Sequence, residues 1–114
     1  MIRRKEEAEV VEAEKAAGGV GKIYKNMLVN ASEMFGKGRM VARVVLPSGS
    51  SIGEHPHVND AELYYILKGE ATVTDNDTKT LLHAGDAVFT GNGNRHSITN
   101  NSAEDVEFLA VIIE

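Results

Sequence analysis

From Gly36 onward the chain is a succession of short apolar segments, each cut off by a cluster of turn residues. "RMVARVVL" gives way to "PSGS", "ELYYIL" to "KGE", "ATVT" to "DNDT" and "KTLL" to "HAGD". "AVFT" then yields to "GNGN", "HSIT" to "NNSAED", and "VEFLAVII" closes the run. Short apolar segments with this regular punctuation predict an all-β sandwich or barrel over residues 36–114. Glycines in the turns supply positions where a positive φ costs little. Residues 1–35 are assigned to the same domain as an N-terminal arm or short helix followed by a first strand. Within them "RKEEAEVVEAEKAA" has high helix propensity and stops at Gly18-Gly19, which predicts a peripheral helix or an extended arm.

Several function classes are disfavoured by composition. A formal net charge of −5 argues against nucleic acid, which calls for a basic patch. No apolar run approaches the ~18 residues of a membrane span. "MIRRKEEAEVVEAEK" has basic residues but no apolar stretch after them, so it does not read as a secretory signal. With no cysteine there is neither a disulfide nor a thiolate metal site, and a cytoplasmic location is expected.

Against this background "GSSIGEHPHVNDAELYYILKG" is out of place. In an extended strand residues i and i+2 face the same way, so His55 and His57 share a face. Pro56 between them points away, which fits an edge or an irregular strand end. Alternation puts Glu62, Tyr64 and Ile66 on one face of the next strand, where Glu62 can meet the two histidines across a hairpin. Two imidazoles and a carboxylate form a facial ligand set for a divalent first-row metal. His96 begins the strand "HSITN" and is a fourth candidate if that strand lies beside the first pair.

These residues resemble the motifs of the cupins, small barrels of the double-stranded β-helix (jelly-roll) type. The first cupin motif, G-x5-H-x-H-x3-4-E-x6-G, is matched by Gly49, His55, His57, Glu62 and Gly69. The second, G-x5-P-x-G-x2-H-x3-N, is matched by Gly85, Gly93, His96 and Asn100, with Gly91 in place of the proline. The resemblance implies that His55, His57, Glu62 and His96 hold one divalent ion per chain, chosen among Mn, Fe, Ni, Co and Zn. An ion held by four ligands keeps two positions open and a formal site charge of about +1, which favours a small anionic ligand. The resemblance is greatest to small single-domain cupins of the oxalate-decarboxylase-like kind. It implies a metalloenzyme acting on a small oxygenated acid as a decarboxylase or oxygenase. The alternatives are a non-catalytic module binding or sensing a sugar or metabolite through the metal, and a sugar isomerase-type cupin. No catalytic residue beyond the ligands is assigned from the sequence; a full resemblance to oxalate decarboxylases would also imply a mobile acidic lid and a substrate-binding arginine, and neither is placed on particular residues. So small a barrel leaves room for only a few ligand atoms beyond the metal.

The remaining polar residues read as structural. His83 sits at a surface turn, Arg95 and Glu54 point away from the metal, and Arg43 fits an outer-face salt bridge better than a pocket cation. Tyr64 and Phe89 are candidates to line the pocket and fit equally well as plain core. In "VEFLAVII" both faces are apolar, as they are in "RMVARVVL". Two apolar faces imply that both are covered, and a homodimer is expected.

Overall fold

The computed structural model describes all 114 residues. Ten antiparallel strands form two sheets. They are β1 (Glu9–Glu14), β2 (Lys22–Asn30), β3 (Gly38–Leu46), β4 (Ser51–Pro56), β5 (Ala61–Lys68), β6 (Glu70–Asp75), β7 (Thr78–His83), β8 (Ala87–Gly91), β9 (Arg95–Thr99) and β10 (Val106–Ile113). One sheet has six strands in the order β1-β2-β3-β10-β5-β8, and the other has four in the order β4-β9-β6-β7. Neighbours far apart in sequence, such as β3 and β10 or β4 and β9, are what fold the meander into a jelly-roll barrel.

The core lies between the sheets. Val44 and Leu46 of β3, Tyr64 and Ile66 of β5, Ile98 of β9 and Phe108 of β10 are all but fully buried. Each sits at an alternate position of its strand, so the period of two decides which residues enter the core. Arg43 lies between the buried Ala42 and Val44, faces outward and pairs with Glu107 on the adjoining strand at 2.6 Å.

The helical alternative for residues 3–17 is not adopted. A single 3-10 turn, Lys5–Glu7, precedes β1, which pairs in register with β2 from Glu9↔Met27 to Glu14↔Lys22. Propensity is a weak local term, and here pairing along a six-stranded sheet overrides it. Val10 and Val11 suit the strand, while Glu9, Glu12 and Glu14 charge its free edge. Gly18 and Gly19 serve the loop between β1 and β2. That loop is laid against β4 so closely that a Cβ on Gly53 would lie 2.2 Å from the carbonyl oxygen of Ala17.

Gly91 stands where the cupin motif has proline, and its surroundings give the reason. A Cβ there would come within 2.8 Å of the Ala61 Cβ across the β5–β8 ladder. The last polar residue of the second motif, Asn100, is completely buried and pins two loops. Its Nδ2 donates to the carbonyls of Leu46 (2.8 Å) and Glu104 (2.7 Å), and its Oδ1 accepts from the backbone and hydroxyl of Ser102. Replacing Asn100 with alanine removes the side-chain donor to the buried Leu46 carbonyl and to that of Glu104. Urea denaturation should therefore show a loss of roughly 2–4 kcal/mol, and an unchanged midpoint would contradict this pinning role.

Candidate metal centre

The two sheets deliver the candidate ligands from opposite sides. His55 lies on β4 and is the direct cross-strand partner of His96 on β9, both in the four-stranded sheet. Glu62 lies on β5 of the six-stranded sheet, opposite Thr90 and Ile112. The carboxylate thus meets the imidazoles across the gap between the sheets, not across a hairpin as the short spacing suggested. His57 follows the end of β4, and the turn after β8 holds it. Its backbone N–H donates to the Asn94 carbonyl (3.0 Å), and its carbonyl accepts from the N–H of Gly93 (2.8 Å).

The four side chains converge, with one potential ligand atom from each lying within 4.8 Å of the others. His57 Nε2 is 3.0 Å from Glu62 Oε1 and 3.2 Å from His96 Nε2. His96 Nε2 is 3.0 Å from His55 Nε2 and 3.1 Å from Glu62 Oε1. His55 Nε2 lies 3.6 Å from the same oxygen. Two ligands each ~2.1 Å from one ion and at right angles to each other would be ~3 Å apart. The spacing is that of neighbouring positions around a single ion.

The tautomers point the same way. His55 Nδ1 donates to the Gly53 carbonyl at 2.8 Å, and His57 Nδ1 donates to Asp60 Oδ1 at 2.9 Å. Since carbonyl and carboxylate oxygens only accept, both neutral rings carry their proton on Nδ1 and aim the Nε2 lone pair inward. Lone pairs gathered around a carboxylate repel one another unless a proton or a cation sits among them. His96 is oriented differently. Its ring stacks on Tyr64, with centroids 4.5 Å apart and planes 13° from parallel, and its buried Nδ1 has no hydrogen-bond partner. This donor set suits a divalent first-row ion, with the nitrogens and the carboxylate as its ligands.

Electrostatics reflect the crowding. Burial pushes the Glu62 carboxyl up, but the adjoining His55 and His96, and the positive charge the imidazoles carry when protonated, outweigh it and hold it at about 2. The Glu62 hydrogen bond raises the proton affinity of His55 against burial and the positive charge of Lys25. Burial lowers that of His96. Tyr64 is raised well above the ordinary phenol range, first by burial and then by the Glu62 charge.

The centre forms part of the wall of a cavity of about 460 Å³. Tyr64 lines it, but Phe89 does not: it is 60% exposed on the outer face, opposite Leu63. The cavity exceeds the few-atom space expected of so small a barrel, because β2 and the Ala16–Ala17 loop extend its wall beyond the motif-bearing strands. Two residues that no sequence motif marks, Asp60 and Arg39, also contribute. Asp60 orients His57 and is itself held by Arg39, which also reaches Glu114. His83, Arg95 and Glu54 lie outside the centre. His83 pairs with Glu70, and Arg95 pairs with Glu54 and Asp77.

Comparison with known proteins agrees with this architecture. The cupin domain model matches residues 42–112. The chain belongs to the cupin family. An oxalate-binding protein of Thermotoga maritima is 42% identical over 113 residues, covering 99% of this chain and 93% of that one. A crystal structure of a predicted oxalate decarboxylase from T. maritima superposes with a TM-score of 0.94 at 42% identity, over 99% of this chain and 98% of that one. KdgF from Halomonas sp. shares the fold, with a TM-score of 0.78 at 16% identity over 96% of this chain and 89% of its own. No helix of this cupin is long and apolar enough to cross a membrane.

A pH prediction follows for metal-free protein. The folded-state value of Glu62, about 2, lies below its ordinary 4.5. Its contribution to stability is therefore complete above pH ~4.5 and lost as the pH falls towards ~2. Urea midpoints of metal-free wild type should fall through that window more steeply than those of Glu62→Gln. Parallel profiles would contradict the assigned electrostatics.

Proposed function

We propose that this cupin binds one divalent metal ion through His55, His57, Glu62 and His96, and holds a small carboxylic acid at that ion. The convergence of three imidazole nitrogens and one carboxylate oxygen, with His55, His57 and Glu62 lining a cavity, carries the reading. The 42% identity to an oxalate-binding protein supports an acid as the ligand. A bound ion supplies Lewis acidity, which polarises a carboxylate or carbonyl. The chain does the rest. Asp60 and the Gly53 carbonyl fix the tautomers of His57 and His55, and Tyr64 holds the His96 ring in place.

Decarboxylase or oxygenase activity is the second reading, favoured by the likeness to a predicted oxalate decarboxylase. It ranks after binding because both carboxylates on the cavity wall are already engaged. Asp60 serves Arg39 and His57, and Glu62 belongs to the ligand cluster. Neither is free to carry a proton to or from a bound acid.

Elemental analysis should find one metal per chain in wild type, and His57→Ala should lose most of it while staying folded. In Asp60→Asn, metal affinity should fall by about 10- to 100-fold. Small acids should stabilise metal-loaded protein alone, by about 2.7 kcal/mol at ~100 times their dissociation constant. Equal thermal shifts with and without metal, or stabilisation by neutral sugars and by no acid, would overturn this function.

Assembly belongs to the same proposal. The outer face of the six-stranded sheet carries Tyr65, Leu67 and Phe89, all exposed, beside Leu109 and Val111. This is the second apolar face of β5, β8 and β10, and a second copy of the chain is the partner assigned to it. Light scattering at micromolar concentration should give a dimer mass in wild type and a monomer in Phe89→Glu. A monomeric wild type would contradict the assignment.

A further inference from the structure

The cavity contains a cation that the metal centre does not use. Lys25 sits on β2 between Ile23, which is fully buried, and Met27, which packs against the core. Alternation gives these three residues the same face, the one turned towards the barrel interior. Its cross-strand neighbours are Val11 on β1 and Val44 on β3. Lys25 is half-buried and lines the same cavity as His55, His57 and Glu62. Eleven of the eighteen lining residues are apolar.

The other cation of the cavity wall, Arg39, is committed to Asp60 and Glu114. The chain's remaining lysine and arginine ion pairs use Arg3, Lys22, Arg43 and Arg95 and leave Lys25 without a carboxylate. A partly desolvated ammonium among apolar groups is costly unless an anion meets it. On the cavity wall Lys25 and Arg39 are offset by Asp60 and Glu62. A divalent ion would then leave the cavity with a formal charge of about +2, which a dianion matches.

We infer that Lys25 is a specificity-determining residue that receives a second, distal carboxylate of a ligand whose first carboxylate sits at the metal. The ligand class is then a short 2-hydroxy or 2-oxo diacid. Its carboxylate and neighbouring oxygen take the two open positions on the ion, and its far carboxylate reaches the ammonium. A cavity of about 460 Å³ has room for such a molecule, which is larger than oxalate. This inference rests on the metal-dependent acid binding proposed above and sharpens it.

The test is calorimetry on metal-loaded wild type and Lys25→Met with matched acids. The pairs are malate against 2-hydroxybutyrate, and 2-hydroxyglutarate against 2-hydroxyvalerate. Within each pair only the distal carboxylate differs. Wild type should prefer at least one diacid by about 10- to 100-fold, the range of a hydrogen bond to a charged group. Lys25→Met should lose that preference, keep its metal content, and bind the monoacids within about 2-fold of wild type. Lys25→Arg should retain part of the preference. Oxalate is the control, because one ion can take both its carboxylates, so its affinity should change little. If monoacids bind the metal-loaded protein and neither diacid is preferred, the role of Lys25 is overturned while the function proposed above stands. Survival of the preference in Lys25→Met overturns that role equally. If no acid binds the metal-loaded form, the proposed function falls and the role of Lys25 with it.

Discussion

Everything around the centre serves to hold inward-facing lone pairs beside a carboxylate oxygen, at separations of 3.0–3.6 Å. Such an arrangement repels itself. A fold tolerates it only if the rings cannot turn away and something positive compensates. Here the rings cannot turn away. His55 is tied by the Gly53 carbonyl, His57 by Asp60, and His96 by its stack on Tyr64. The compensation is what a divalent ion would provide.

This constraint explains why the barrel is built as two sheets. Glu62 comes from the six-stranded sheet and the imidazoles from the four-stranded sheet or its edge, so the centre also joins the two layers. Backbone bonds between His57 and the Gly93–Asn94 turn, and the loops pinned by Asn100, fix the strand ends on which the ligands sit. Because Asp60 is also held by Arg39, the orientation of one ligand reaches to the C-terminal Glu114. Packing and site geometry are not separable here. The strands that bury Tyr64 and Ile98 are the ones that aim Glu62 and His96.

Much of this could be read from the sequence, for a physical reason. Strand alternation is local, so the shared face of Glu62, Tyr64 and Ile66 followed from spacing, whereas the outward course of Arg43 was one of two readings until its pairing with Glu107 was known. The two motifs were legible because ligands must occupy fixed positions on strands whose length the barrel sets. What escaped was long-range. The segment around Val10 and Val11 carries a helical propensity that only its pairing with β2 overrides. Phe89 could equally well have faced either way until its register opposite Leu63 was known. Lys25 lies far upstream of the first histidine, and no local pattern marks it as a wall of the cavity. Asp60 reads as part of a polar turn, and its bond to His57 depends on how that turn folds back.

That the four side chains share one ion is tested most directly by anomalous diffraction from crystals of the metal-loaded protein. A single strong peak is expected at about 2.0–2.2 Å from Nε2 of His55, His57 and His96 and from Oε1 of Glu62. A map from fully metal-loaded protein with no peak among these atoms, or with the ion held elsewhere on the chain, would contradict it.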